Sequence, residues 1–319
     1  MLIKYNLVSL TEYRTKPKIL IKRVGLNLIL IYNEKVFLMA VSAVVLAATA
    51  VNCSRNDDQD SGSGQQQERY QHLTGVWEAN AIGQIPIPTD GDGYSYTYKR
   101  LDDPSETGKG EVTQTGQHTE YIELGMKNAN KRFVISIIPK KEKFAFFYGI
   151  DGLVAEEKAQ FKVLKHWGKR KWVGNLAGMF MGCSSLKIEA QDVPDFSEVT
   201  SLANMFDGCT SLQSVPNIQK WNLINTHYIG SLFDGATKFN QSLEGLVIKK
   251  EGADMRDIFR NTAMSSENYG KTLKGWAENK ETAKNVILSS DRKYKASAKQ
   301  YRQSLIDNKG WTITDGGQE

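Results

Sequence analysis

Three cysteines in 319 residues are too few for a disulfide scaffold, which needs several bridges in a short chain. Proline is scarce too, at seven, so no polyproline stalk or proline-rich recognition segment is present. The four histidines (His72, His118, His166 and His227) stand far apart, without the short spacing of a metal-ligand set. HExxH, a phosphate-cradling glycine loop and GxSxG are missing, so neither cofactor nor metal is expected and the chain does not read as an enzyme. Asp90-Gly91-Asp92-Gly93 has the opening of a calcium loop but no closing Glu at the right offset, and reads as a turn. Excess charge of one sign is lacking as well. Seven of the 41 Lys and Arg, but only two of the 36 Asp and Glu, lie in residues 1–52. The chain from Cys53 onward holds 34 of each sign and is neutral, so no nucleic-acid partner is expected.

What the chain does have is a repeat. Leu176-Ala-Gly-Met179-Phe180-Met-Gly182-Cys183-Ser-Ser185-Leu186 returns 26 residues later as Leu202-Ala-Asn-Met205-Phe206-Asp-Gly208-Cys209-Thr-Ser211-Leu212. Ile229-Gly-Ser-Leu232-Phe233-Asp-Gly235-Ala236 comes after 27 residues, and Met255-Arg-Asp-Ile258-Phe259-Arg-Asn261 after 26 more. Such a period means stacked coils that bury their apolar sides only against one another. Leu202, Met205 and Phe206 fall at the spacing of one helix face, and Gly208 would end that helix. Leu212 to Val215 reads as a short strand ended by Pro216. Met179, Phe180, Met205, Phe206, Leu232, Phe233 and Phe259 are thus expected to form one buried ladder. Cys183 and Cys209 share one coil position, which Ala236 takes in the third copy. Equivalent side chains in neighbouring coils point the same way, so two reduced thiols are expected rather than a bridge.

These LxxMFxGCxSL units resemble the BspA-like leucine-rich-repeat surface proteins of Bacteroides-type bacteria, whose related repeats also occur in mycoplasma surface proteins. Trp167-Gly-Lys-Arg-Lys-Trp172 resembles the family's segment before its first coil, and Asp192-Val-Pro-Asp195-Phe-Ser-Glu-Val199 its link between coils. Phe239-Asn240-Gln241 and Trp311-Thr-Ile-Thr-Asp315-Gly-Gly317 resemble its post-repeat motif and its ending; together these stretches span roughly residues 160 to 319. The fourth copy departs from the pattern, with Asn261-Thr262 in place of Gly-Cys or Gly-Ala, and is expected to be irregular. The resemblance implies an α/β leucine-rich-repeat solenoid of about four coils with an α/β C-terminal cap. It also implies a cell-surface role in adhesion.

The chain divides into four regions. Residues 1–52 read as a leader or export signal, with Val36 to Val51 as its apolar run. Those sixteen residues suit a signal better than a spanning helix, the competing reading, which needs about 20. The residues before Lys35 exceed an ordinary basic n-region, and a start downstream of Met1 is expected. Cys53 directly follows the run, as in bacterial lipoprotein signals, and is the expected lipidation site; the anchor would be the outer membrane. Residues 53–70, polar and rich in Gly, Ser and Gln, form a flexible tether. Residues 71–161 alternate at Gly93–Tyr98, His118–Leu124 and Lys131–Ile137 between turn clusters, which reads as an antiparallel β-sandwich. Ile85–Tyr94 and Gly116–Tyr121 resemble a PKD-like, immunoglobulin-type domain, although its Asp-Trp-Gly-Asp-Gly turn is replaced by Lys99-Arg-Leu-Asp-Asp-Pro. Residues 162–319 carry the repeats, with the cap from about 264: a helix at Tyr269–Ala277, a strand at Val286–Leu288, a basic helix from Tyr294 to Leu305, and a last strand at Trp311.

The expected function is a surface-anchored, non-enzymatic binding or adhesion lipoprotein, held to the membrane by lipid, with a host or matrix protein or a glycan as partner. The competing function is glycan capture for nutrient uptake, or a carbohydrate-active enzyme. A pocket of aromatics and carboxylates would favour that second reading, and a flat or gently concave face the first. Trp167 and Trp172, interleaved with Lys169, Arg170 and Lys171, are expected to pack under the first coil rather than stack on a ligand. No ligand-contacting residue is assigned from the sequence.

Overall fold

The computed structural model describes residues 21–24, 27–30, 72–149 and 152–319, and the chain divides into two units, Met1–Asp60 and Ser61–Glu319. In the first unit the described residues pair as antiparallel strands β1 (Ile21–Val24) and β2 (Asn27–Leu30). The apolar run, Cys53 and the tether lie outside the described residues.

The second unit begins with strands β3 (Leu73–Glu78), β4 (Gln84–Gly91), β5 (Tyr94–Arg100), β6 (Thr107–Val112), β7 (His118–Glu123), β8 (Arg132–Pro139) and β9 (Phe144–Phe146). A one-turn helix α1 (Ala155–Lys158) leads to β10 (Phe161–His166), β11 (Lys171–Asn175), β12 (Lys187–Ile188) and β13 (Asp195–Ser201). Period-two alternation builds these strands: in β8, Phe133, Ile135 and Ile137 are fully buried, whereas Val134 and Ser136 lie on the other face, partly exposed. A six-stranded sheet runs in the order β12-β10-β3-β8-β5-β6, and a three-stranded sheet in the order β7-β4-β9. Trp77 lies flat on Phe161 (centroids 4.2 Å, planes 2° apart), and its Nε1 donates to Tyr148 Oη at 2.8 Å. The two rings cover Gly75, where a Cβ would sit 2.7 Å from either ring. Only glycine lets the pair lie against the strand.

The expected fold class is overturned. The six-stranded sheet is mixed, since β12 joins β10 in parallel while β10 joins β3 antiparallel, so it continues into the repeats. The unit is mostly β, in several small sheets, and no helix-rich leucine-rich-repeat solenoid closes.

Each repeat does stack on the next, but through turns rather than helices. The third residue of every copy has a left-handed backbone: Gly178 (φ 69°), Asn204 (58°), Ser231 (53°) and Asp257 (57°). A right-handed helix cannot pass through that conformation. The freed amides instead reach the neighbouring coil, Phe180 N to Met205 O, Phe206 N to Leu232 O and Phe233 N to Ile258 O, at 2.9, 2.9 and 3.2 Å. Leu212 to Val215, expected as a strand, is irregular, and the Gln241 side chain accepts from Val215 N at 2.7 Å where a strand partner would stand.

The ladder is in place. Phe180, Phe206, Phe233 and Phe259 are fully buried and nearly parallel, their centroids 5.6, 5.7 and 6.4 Å apart in succession. Met179, Met205 and Leu232 are fully buried beside them. Cys183 and Cys209 are buried free thiols, and Cys209 Sγ donates to Phe180 O at 3.1 Å. Burial pushes both thiols up in pKa, which keeps them protonated. The fourth copy is regular after all. Asn261 takes the left-handed backbone (φ 56°) of the earlier glycines, and the buried Thr262 hydroxyl turns back onto Phe259 O at 2.8 Å. Its Arg260 holds the buried Asp234 carboxylate of the coil before.

The chain then forms β14 (Asp254–Met255), helix α2 (Ser266–Glu278), β15 (Ile287–Ser289), helix α3 (Lys299–Lys309) and β16 (Thr312–Thr314). The β14-β15-β16 strands pair in parallel and carry the coil direction to the end. Ser265 caps α2 by accepting from Asn268 N at 3.2 Å, and Tyr269, Leu273 and Trp276 line its buried side. The basic helix starts at Lys299 rather than Tyr294, because residues 296–298 form a tighter 3-10 turn.

A candidate ligand groove on the outer sheet face

Residues directly opposite one another in an antiparallel pair share a face. On the outer face of the six-stranded sheet, His166 of β10 stands opposite Thr74 of β3, Thr74 opposite Ser136 of β8, Ser136 opposite Thr97 of β5, and Thr97 opposite Lys109 of β6. The result is one polar row across five strands. Thr74 Oγ1 and Ser136 Oγ are hydrogen-bonded at 3.1 Å. The next row, Val76, Val134, Lys99 and Thr107, is apolar at one end and basic at the other. Twist leaves the face concave, as a groove of about 1000 Å³ lined also by His72, Tyr98, Gly108 and Lys165.

The groove is positive. Three lysines and two histidines line it, and none of the lining residues is Asp or Glu. Lys165 is answered from outside the lining by Glu189 at 2.8 Å, and His166 faces Asp192 at 3.7 Å. Lys99 and Lys109, both exposed, make no ion pair among the described residues. Lys162 of β10 is matched by Glu78, and Lys140, just past β8, by Glu111, whereas Lys187 of β12, outside the groove lining, makes no ion pair among the described residues. The Tyr96 and Tyr98 rings lie across β6, where Gly110 and Gly108 leave room for them. Burial first, and the nearby Glu120 carboxylate second, push the Tyr96 phenol up in pKa, so it remains a neutral donor.

Of the residues singled out from sequence, Cys53 lies outside the described residues. His72 and His166, far apart in the chain, meet at the groove, whereas His118 is buried. Trp167 and Trp172 are fully buried, edge to face with each other (6.2 Å) and with Phe196. Arg170 stacks over Trp172 and Phe144, and burial, outweighing Glu142, brings its pKa down to about 10. The Asp90 and Asp92 carboxylates face Lys143 and Lys141 at 3.6 and 3.8 Å, and the described residues hold no cluster suited to a metal ion. Thr74, Thr97, Lys99, Lys109 and Ser136 escaped the sequence reading. Their only signal was the outward half of each strand's alternation, which marks any solvent face.

A family model described as "Mycoplasma protein of unknown function, DUF285" matches residues 150–285, which contain the whole coil stack and less than half of the chain. The groove lies largely outside that match. Comparison with curated proteins and with solved structures gives no match.

Proposed function

We propose that this protein is a non-enzymatic binding module displayed on a cell surface, and that the groove on the six-stranded sheet is where its ligand lies. The observation that supports this most is the lining itself: a concave, open face with lysines, histidines and hydroxyls but no carboxylate. A hydrolytic site for sugars needs a carboxylate pair, which favours binding over the competing enzymatic reading. The resemblance of the repeats to BspA-like surface proteins points the same way. In this reading the coil stack is a rigid support, and residues 54–69 are the reach that carries it away from the membrane. A screen of the full chain in detergent against glycans and matrix proteins tests the proposal. Saturable binding of at least one class is expected, and none would overturn it.

Anchoring through lipid on Cys53 is part of the same proposal, supported by the order of apolar run, cysteine and polar tether. Cys53→Ser is expected to move the protein from the membrane fraction to the soluble one. Unchanged membrane association would instead mean that Val36 to Val51 is held as a spanning helix.

A further inference from the structure

Resting on that reading, we infer that the ligand of the groove is an extended sulfated glycan, laid across the strands along the row from His166 to Lys109. Three observations carry this. First, the cations are unevenly satisfied. Lys165 has Glu189, but Lys99 and Lys109 project into the groove with no ion pair among the described residues. Two such ammonium groups at one end of a carboxylate-free groove are complementary to anionic groups on a ligand.

Second, the centre of the row is hydroxyl: Thr74, Ser136 and Thr97 stand side by side on three adjacent strands. Hydroxyls both donate and accept, which suits a ligand that is itself polyhydroxylated. Third, the row is long. Five strands at about 4.8 Å spacing make about 19 Å, enough for several sugar units in line. An acidic peptide has a better place to bind, the free edge of β6, where backbone bonds would hold it along the strand rather than across five. A single-stranded nucleic acid needs exposed aromatic platforms. Here the rings of Tyr96 and Tyr98 lie over β6, with Tyr98 edge-on to Phe133.

The test is a titration of the full chain in detergent with heparin, with desulfated heparin, and with a DNA oligonucleotide of matched charge. Heparin is expected to bind, desulfated heparin and the oligonucleotide to bind at least about tenfold more weakly, and affinity to fall as salt rises. In Lys99→Gln/Lys109→Gln, heparin affinity is expected to drop about tenfold, as two exposed charge contacts would give. Both lysines are exposed and make no ion pair among the described residues, so the variant's melting temperature should match the parent's, and that match shows that folding is intact. Equal binding of desulfated heparin or of the oligonucleotide overturns the ligand class. Unchanged heparin affinity in the double variant overturns the site. If the chain ignores heparin yet binds a matrix protein or a neutral glycan, this inference fails and the binding-module reading stands. If it binds nothing, both fail.

Discussion

Phe206→Ala is expected to lower stability by about 3–5 kcal/mol, the cost of deleting a fully buried aromatic side chain. The ring lies at the middle of the ladder, stacked on Phe180 at 5.6 Å and on Phe233 at 5.7 Å, and is 0% exposed. Its removal leaves a gap walled by rings whose coils are hydrogen-bonded to one another, so the site cannot collapse to fill it. A urea melt of the variant against the parent gives the difference directly. A loss below about 1 kcal/mol would mean that the coils do not stack in this register.

The second large effect is expected far from the ladder, at Asp315. Its carboxylate is 1% exposed and closes the chain's end: Oδ2 accepts from Arg302 Nε at 2.9 Å and from Tyr269 Oη at 3.0 Å, and Oδ1 from Gly317 N at 3.1 Å. Burial first, and then the Asp315 charge, hold the Tyr269 phenol well above its ordinary pKa, so it stays a donor. Asp315→Ala leaves a guanidinium and a buried hydroxyl without their acceptor. Breaking a buried pair costs about 3–5 kcal/mol. Arg302 keeps 21% of its side chain in water, which places the expected loss near about 3 kcal/mol. The same melt checks it, and a loss under about 1 kcal/mol would show that solvent satisfies Arg302 without help.

Much of the stack was legible. The period, the buried Met and Phe positions and the small residue at Cys183, Cys209 and Ala236 are all consequences of self-similarity, because one coil's environment repeats in the next. What misled was local spacing. Leu202, Met205 and Phe206 have helical spacing, but Asn204 between them sits at φ 58°. Asparagine tolerates that conformation at little cost, and a backbone held by intercoil bonds selects it. Strands β5, β7 and β8 were legible by alternation. The sheet's pairing was not, because the joining of β10 to β3 depends on contacts between residues more than 80 positions apart. The groove was illegible for the same reason. Thr74, Thr97, Lys109 and Ser136 become neighbours only through register. Gly275, a weak point in a helix by propensity, is similarly explained only by the fold, since a Cβ there would lie 2.1 Å from Glu244 O.

The groove as binding face is tested most directly by amide hydrogen exchange of the full chain, with and without saturating amounts of whichever glycan or matrix protein it binds. Slowed exchange is expected in the segments that line the groove, 72–76, 97–99, 107–109 and 134–136, with the coil amides of Phe180, Phe206 and Phe233 unchanged. Protection confined to residues 176–263, with the sheet unaffected, would place the ligand on the coils and contradict the account.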